Sequence, residues 1–443
     1  MTSGPLLRKI IIFFVPIMLT NWLSMFYNAA DKIVVGHFAG SAALAAVGAS
    51  TSFTLFLMNL CGGVCAGISV VASNDFGSGD IHGLKRTVNT GMSFGIAAGL
   101  VLAVIGLFGS GPILRLLGTP TDVLEEGIAY LRIYFLSMPF YMIYGAGSAL
   151  LRAIGDSKRP LYFLFISGAV NVVLNCIFVA VFSMNVLGVA LATLISQIVS
   201  AAFMLIYLSG KSSPILFTLK DLNVDSKRLF KMLRIGIPTG IRGALFSVSD
   251  MGIQAAVNTM GTAAASGNAA AISYDAIIFS SMGSVAQASM VFTGQNVGAN
   301  KIKRTRKVLF TCFCIVTVVS LAIGFGIFAL RRPLIELMIN DSPAAVAHAI
   351  DRLRILTTTA CVSGWMDVLT SFFSGFGITL LPTAITLGGV CGFRFIWIAT
   401  YFKAHPSMFT LYASYPISAL ICIAGEIILY QVILRKRIKC AQE

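Results

Sequence analysis

The feature that most constrains the fold is a series of twelve apolar stretches, each long enough to cross a lipid bilayer. A membrane-spanning helix needs about 20 predominantly apolar residues, and 57% of the 443 residues are hydrophobic. Only 11% are Asp, Glu, Lys or Arg, against about 25% in an ordinary soluble domain. Too little charge remains to cover a water-facing surface, so we exclude a soluble enzyme and predict an all-α polytopic membrane protein. The predicted transmembrane helices lie near 10–35, 42–72, 88–109, 127–151, 160–183, 187–208, 232–258, 263–294, 307–330, 349–374, 380–402 and 408–434.

The order of these stretches indicates an internal duplication. A polar segment, 209–231, separates a predicted N-terminal six-helix lobe, 1–208, from a C-terminal six-helix lobe, 232–443. Because each lobe has an even number of crossings, we predict a parallel pseudo-two-fold repeat about the membrane normal. At an offset of 221–222 residues, Pro16 matches Pro238, Gly40 matches Gly261, Gly77 matches Gly298, Pro112 matches Pro333, Leu131 to Ile133 match Leu353 to Ile355, Gly155 matches Gly377 and Pro160 matches Pro382.

The distribution of basic residues predicts the orientation in the membrane. When the loops are assigned to alternate sides, 22 Lys and Arg residues fall on the face that holds both termini, and seven, including Arg352, fall on the other. Cytoplasmic loops carry the excess of basic residues. We therefore predict a multi-pass protein of the cell membrane with both termini in the cytoplasm. The net charge of +15 then belongs to loops near lipid headgroups, and we expect no nucleic-acid partner.

Ionisable residues inside apolar spans are the strongest functional candidates, because each costs at least about 2.5–3.5 kcal/mol at the bilayer centre unless it faces a partner or a cavity. Asp31 closes the first span, where it fits either a proton or cation site or a charge at the headgroups. Asp367 lies deep in the tenth span, and this position favours a functional role over a charge at the headgroups. Asp250, in the seventh span, fits either a site or an ion pair with Arg242 or Arg394. The residues chosen on this criterion are Asp31, Asp250, Asp367, Arg394 and Glu426.

Two groups of oxygen-bearing side chains could complete such sites. Asn171 and Asn175 are four residues apart and share one helix face, and Thr193 and Tyr130 lie on neighbouring spans. Oxygen atoms of this kind can coordinate a small cation, but their spacing alone favours hydrogen bonds between packed helices. In the second lobe, a cation site at Asp367 would draw on Asp250, Gln254, Asn258 and Ser363, which requires the seventh and tenth helices to be neighbours.

Enzyme chemistry finds little support in the sequence. No clustered histidines, glycine-rich phosphate loop or nucleophile motif is present, and a membrane-embedded enzyme would need such a cluster within its spans. We expect no catalytic residues, no cofactor and no metal apart from sodium.

Four motifs occur in a fixed order along the chain. They are Pro16 followed by Asp31, Leu151 to Asp156 before Pro160, Ala286 to Ser289 before Gly294 to Gly298, and Ser414-Tyr415-Pro416. In their order and spacing they resemble the motifs of the multidrug and toxic compound extrusion (MATE) transporters, and the resemblance covers about 8–434. It implies two six-helix lobes that alternately expose a central cavity and export cationic amphipathic compounds in exchange for protons or sodium.

The resemblance also implies roles for single residues. Asp31 matches the proton or sodium carboxylate of the first helix, and Asn171 and Thr193 match its hydrogen-bonding partners. Asn175 departs from the pattern, because many relatives carry a second carboxylate there. Asp367 matches the tenth-helix Asp of the sodium-dependent branch.

The seventh-helix Glu of that branch falls on Phe246, and Asp250, one turn later, is the candidate substitute. We thus expect a monomeric secondary antiporter whose partners are small organic cations and membrane lipid, coupled to H⁺ or Na⁺. The alternative is a flippase for a lipid-linked precursor, which should have more intramembrane Arg and Lys residues.

Overall fold

The chain folds into long helices that match the predicted spans. The computed structural model describes residues 1–34, 40–116, 118–119, 121–210, 213–218, 220, 222–339 and 342–440, without the side chains of 32, 40–52, 122 and 433–440. The helices are α1 (Leu6–Val34), α2 (Gly40–Ser78), α3 (Ile81–Leu116), α4 (Thr121–Leu136), α5 (Met138–Ile154), α6 (Lys158–Asn175), α7 (Asn185–Ser209), α8 (Ser226–Asn258), α9 (Thr262–Gly298), α10 (Ile302–Ala329), α11 (Arg331–Glu336), α12 (Pro343–Gly375), α13 (Leu380–Thr386), α14 (Phe393–Trp397) and α15 (Met408–Cys440).

Helices of this kind satisfy every backbone N–H and C=O group within one segment, which the bilayer interior requires. Among the described residues, nine helices are long and apolar enough to cross a membrane. A tenth crossing consists of α4 and α5, which meet at an angle of 41°. The bend lies at Ser137, two residues before Pro139, whose nitrogen cannot donate a hydrogen bond.

The two remaining predicted spans, α8 and α12, are less apolar than the others. Each has 33 residues, or about 50 Å of helix at 1.5 Å per residue, so length is not limiting. Both helices carry several polar and charged side chains. These side chains form the polar contacts of the second half, as described below, and such residues in a membrane face the protein interior.

Matching backbone features support the internal repeat. Gly155 and Gly377, which the sequence offset pairs, both have a left-handed backbone, with φ of +103° and +77°. Glycine adopts this conformation without steric cost, and it ends a helix in both places. A π-helical turn follows α6 at Cys176–Val181, and another occurs at the matching Ile398–Phe402. A third, Leu387–Gly392, has no partner among the described residues of the first half. The predicted rotation about the membrane normal stays a prediction.

The chain divides into two compact units that differ slightly from the predicted lobes. One unit is Ile11–Gly240, and the other joins Met1–Ile10 to Ile241–Glu443. The predicted linker and the first half of α8 therefore group with the first unit. Likewise, the first residues of α1 group with the second unit, where the carbonyl oxygens of Thr2 and Gly4 accept hydrogen bonds from Lys301 (3.1 Å) and Arg304 (2.7 Å).

Close helix packing holds the first half of α8 in the first unit. Gly63 and Gly67 of α2 face Gly236 and Gly240 of α8, and both pairs have the four-residue spacing that lets membrane helices approach closely. A Cβ atom added to Gly63 would lie 2.3 Å from the backbone nitrogen of Gly240. One added to Gly67 would lie 2.1 Å from the carbonyl oxygen of Met232. Any larger residue would separate the helices.

An ion-pair cluster at the start of α8 adds to this packing. The Arg228 guanidinium donates to the Asp75 carboxylate and to the Thr87 hydroxyl at 2.6 Å. Asp80 and Asp225 each place a carboxylate oxygen 3.9 Å from Arg228. Hydrogen bonds from backbone N–H groups, that of Arg228 above all, lower the pKa of Asp225. Asp225 is therefore an ionised residue just before the positive end of the helix dipole.

Loss of the Arg228 side chain should destabilise the first unit. Arg228→Ala leaves the half-buried Asp75 without its cation, and we expect a loss of about 2–3 kcal/mol in the free energy of unfolding, below the cost for a fully buried pair. Thermal unfolding of the purified protein in detergent measures this. Lys227→Ala removes an equal charge from an exposed neighbouring position and should have little effect. Equal losses in the two variants would contradict the assigned role.

Candidate functional site

The first unit holds a carboxylate bonded to the amide of Asn175. Asp31, near the end of α1, accepts a hydrogen bond from the Asn175 side-chain nitrogen, and the same nitrogen lies 3.3 Å from the Asn171 oxygen. Asn171 and Asn175 are 5% and 1% exposed, so the group lies in the protein interior. Three of the residues predicted for this site are thus brought together.

A close approach of α1 to α6 positions the group. A Cβ atom at Gly168 would fall 1.8 Å from the ring of Tyr27, so only glycine fits there. The Tyr27 hydroxyl donates to the Phe165 carbonyl oxygen at 3.3 Å. Tyr27 precedes Asp31 by one helical turn, and Gly168 precedes Asn171 by three residues, so this contact places Asp31 beside Asn175.

Tyr130 and Thr193, the other predicted members, lie on helices around the site. Tyr130 of α4 packs against a cluster of buried valines that includes Val179 and Val189. Thr193 lies in α7, which packs on α6. Within the described part of the chain, neither hydroxyl is hydrogen-bonded to Asp31. Their predicted participation stays a prediction.

The charge state of Asp31 is constrained by its surroundings. The structure shows no ion pair of Asp31 with any described basic side chain, and the Asn175 oxygen is buried without a hydrogen-bond donor among those residues. A carboxylate inside a membrane protein must be protonated, paired or bound to a cation. The arrangement therefore offers oxygen atoms to a proton or a small cation.

In the second unit, Asp250 has a structural partner. Its carboxylate lies 3.4 Å from Arg394 and accepts a hydrogen bond from the Tyr415 hydroxyl at 3.2 Å. Arg394 stacks 3.9 Å above the Tyr415 ring and donates to Ser418 at 3.3 Å. The structure thus shows Asp250 in an ion pair, one of the two interpretations that the sequence allowed. The Asp250 carboxylate neutralises the charge of Arg394.

Gln254, which is partly buried, and Asn258, which is exposed, are linked to a buried network around Arg352. Gln254 donates to Asn258 at 2.8 Å and accepts from Asn268 at 2.6 Å. Arg352 donates to the Asn268 oxygen and to Asp275, each at 2.7 Å. The network joins α8, α9 and α12, and the Tyr412 hydroxyl of α15 also donates to Asn268, at 2.7 Å.

Arg352 and Asp275 were not recognised as a pair from the sequence. Arg352 was counted among the charges of the outer face, yet its side chain is only 5% exposed within α12. Asp275, 4% exposed, lies inside the predicted eighth span but was not selected. The apolar residues on either side of Asp275 are the sequence signal that indicates a buried carboxylate. Their separation of 77 residues is not visible in any local pattern.

Asp367 and Ser363 are not joined to Gln254 or Asn258. Asp367 lies beside a cluster of Met366, Val390, Ala419 and Cys422, against which Phe246 also packs. Among the described residues, Asp367 and the Ser363 hydroxyl have no hydrogen bond, and Asp367 has no ion pair. Helices α8 and α12 do share a second cluster, which contains Val257 and Leu356. Both helices therefore contribute to one cluster, but Asp367 and Ser363 share no hydrogen bond with Asp250, Gln254 or Asn258 among the described residues.

The described residues contain no group of three or more His, Cys, Asp or Glu side chains that could hold a metal ion.

Comparison with known proteins gives consistent matches. The MatE family model matches residues 16–177 and again 238–400, which reproduces the internal offset. The chain is 29% identical over 395 residues to "Probable multidrug resistance protein YoeA" of Bacillus subtilis (strain 168), covering 87% of this chain and 84% of that protein. It is 31% identical over 309 residues to "Probable multidrug resistance protein YpnP" of the same organism, covering 68% of each chain.

Solved structures share the fold. A structure described as the "Outward-facing conformation of a multidrug resistance MATE family transporter of the MOP superfamily" superposes with a TM-score of 0.90 at 21% identity, covering 98% of this chain and 97% of that one. A MOP superfamily transporter from Pyrococcus furiosus Vc1 (DSM3638) superposes with a TM-score of 0.88 at 21% identity, covering 99% and 97%.

Removal of the buried Arg352 side chain should strongly destabilise the second unit. Arg352→Leu leaves Asp275 as an unpaired buried charge, which costs about 3–5 kcal/mol. Arg352→Lys should recover only part of this, because an ammonium group lacks the planar fork that reaches Asp275 and Asn268 together. Thermal unfolding of each purified variant in detergent measures its loss of stability. Arg354→Leu, an exposed position on the same helix, is the control, and an effect as large there would refute the assignment.

Proposed function

Because the chain belongs to the MATE family, we propose that it is a secondary antiporter that exports cationic amphipathic compounds in exchange for protons or sodium. The family assignment makes it a multi-pass membrane transporter and not an enzyme. Its similarity to multidrug resistance proteins supports small organic molecules as substrates.

The observation that carries the proposal is the Asp31–Asn175–Asn171 group. A carboxylate held by amide groups inside a membrane helix bundle can bind a cation when ionised and release it when protonated. Occupancy then favours one conformation of the transporter over another, provided that the two conformations bind the ion with different affinity. Export of a substrate is coupled to ion entry in this way.

The pairing of two buried arginines, Arg352 and Arg394, reduces the positive charge available to an anionic lipid precursor and so favours organic cations as substrate. A flippase for such a precursor needs free positive charge within the membrane. Arg352 and Arg394 are each paired with a carboxylate, Asp275 and Asp250 respectively. Neither arginine therefore supplies free positive charge.

Both termini are proposed to lie in the cytoplasm, with the protein in the cell membrane. The excess of basic residues on that face supports this orientation. Hydrogen bonds from Lys301 and Arg304 to the N-terminal residues also support it, because the assignment places both segments on the same face.

Asp31→Asn should abolish coupled export and leave the protein folded. The amide cannot carry the negative charge that holds a cation, while its shape is nearly unchanged. Transport of a fluorescent organic cation into inverted membrane vesicles, with a proton or a sodium gradient imposed separately, measures the effect. Asp351→Asn makes the same chemical change at an exposed position and should transport normally. Normal export by Asp31→Asn would remove Asp31 from the mechanism.

Asp367→Asn should reduce sodium-driven export more than proton-driven export. A sodium ion needs several oxygen ligands, and the ionised Asp367 would supply one of them. The same vesicles with each gradient in turn give the comparison. Equal loss under both gradients would make Asp367 a structural or substrate-binding residue. Sodium-insensitive transport by the unmodified protein would leave Asp31 as the coupling residue.

A further inference from the structure

Glu426 is a fully buried carboxylic acid that the coupling scheme above does not use. It lies in α15, within the apolar segment Met408–Val432, and its side chain is 0% exposed. Its Oε1 atom lies 2.5 Å from the hydroxyl oxygen of Thr370 on α12. Arg394, another buried charge of this unit, pairs with Asp250.

The two contacts of the Thr370 hydroxyl bear on the protonation state of Glu426. Its oxygen also lies 2.9 Å from the carbonyl oxygen of Met366, one turn earlier on α12. A hydroxyl group has a single hydrogen to donate. If Thr370 donates to Met366, the hydrogen between Thr370 and Glu426 must come from a protonated Glu426. One hydroxyl hydrogen cannot form a full two-centre hydrogen bond to each acceptor, whereas a neutral Glu426 that donates to Thr370 supplies one hydrogen for each contact.

The second carboxyl oxygen gives an independent indication. The Oε2 atom of Glu426 is buried, and within the described part of the chain it has no hydrogen-bond partner. An ionised carboxylate would leave a charged oxygen unsolvated, which is far more costly than an unbonded carbonyl oxygen of a neutral acid. The observed surroundings of Glu426 therefore fit its protonated form.

Charged groups on neighbouring helices influence the ionisation of Glu426. Arg242 of α8 and Asp367 of α12 are the charged groups that act on Glu426, and Cys422 lies one turn earlier on α15. One terminal nitrogen of Arg242, NH1, is buried and lacks a hydrogen-bond acceptor among the described residues. Closer approach of Arg242 would stabilise the ionised acid, whereas Asp367 opposes ionisation when it is charged.

We propose that Glu426, with Thr370 as its hydrogen-bond partner, is a proton-carrying site of the second unit. The neutral acid donates to Thr370 in the observed conformation. In another conformation, the O–H bond breaks, the proton passes to water, and the carboxylate pairs with Arg242. This inference rests on the proposed ion-coupled export and adds a proton site that is separate from Asp31.

Infrared spectroscopy tests the protonation directly and needs no substrate. In reconstituted membranes near neutral pH, the unmodified protein should show the C=O stretching band of a protonated carboxylic acid, and this band should disappear at higher pH. The difference spectrum between the unmodified protein and Glu426→Gln should contain this band, and the difference spectrum for the exposed Glu126→Gln should not. Absence of any band change between unmodified protein and Glu426→Gln, or a band that persists at every pH, would overturn the proposal.

Transport measurements test whether that proton takes part in the cycle. Glu426→Gln should lower the number of protons exchanged per exported molecule by about one, and proton-driven export should fall about tenfold. Thr370→Val should shift the pH profile of export, and Thr370→Ser, which keeps the hydroxyl, should restore it. An unchanged proton count in a folded Glu426→Gln protein would reject the site. If the unmodified protein exports nothing, the proposed function fails, and the infrared titration still decides whether Glu426 exchanges a proton.

Discussion

The structure depends on one constraint, which is that a polar group inside the bilayer must find its partner within the protein. No water is available there, so an unsatisfied group costs several kcal/mol. The long helices satisfy the backbone, and the side chains must be satisfied one by one. The least apolar helices, α8 and α12, therefore carry many of the buried polar contacts of the second unit.

Carboxylates within the helices meet this constraint in two ways. In the second unit, Arg352 and Arg394 are neutralised by Asp275 and Asp250, and these pairs hold helices in fixed positions. The carboxylates of Asp31 and Glu426 are instead held by neutral partners, Asn175 and Thr370. A neutral partner leaves the charge state free to change, so the same requirement produces structural pairs in one place and candidate ion-binding groups in another.

Helix α8 contributes side-chain contacts to each of the two units. Its first half packs through glycines and Arg228 in the unit Ile11–Gly240. Its second half contributes Asp250 and Gln254 to the polar contacts of the other unit. Pro238 lies close to Gly240, the last residue of the first unit. Proline removes a hydrogen bond from the helix interior. A bend of α8 would therefore concentrate there.

The sequence alone determined the number and placement of the twelve crossings, because apolar length is a local property, and it determined the repeat, because matching glycines and prolines recur at a fixed offset. It also identified Asp31 and both asparagines, since carboxylates and amides stand out among apolar residues. It offered Arg394 as one of two possible partners of Asp250 without deciding between them, and it did not identify the partner of Arg352 or Glu426. Those partners lie 56 to 144 residues away, and only the rotation and neighbours of each packed helix decide which side chains meet.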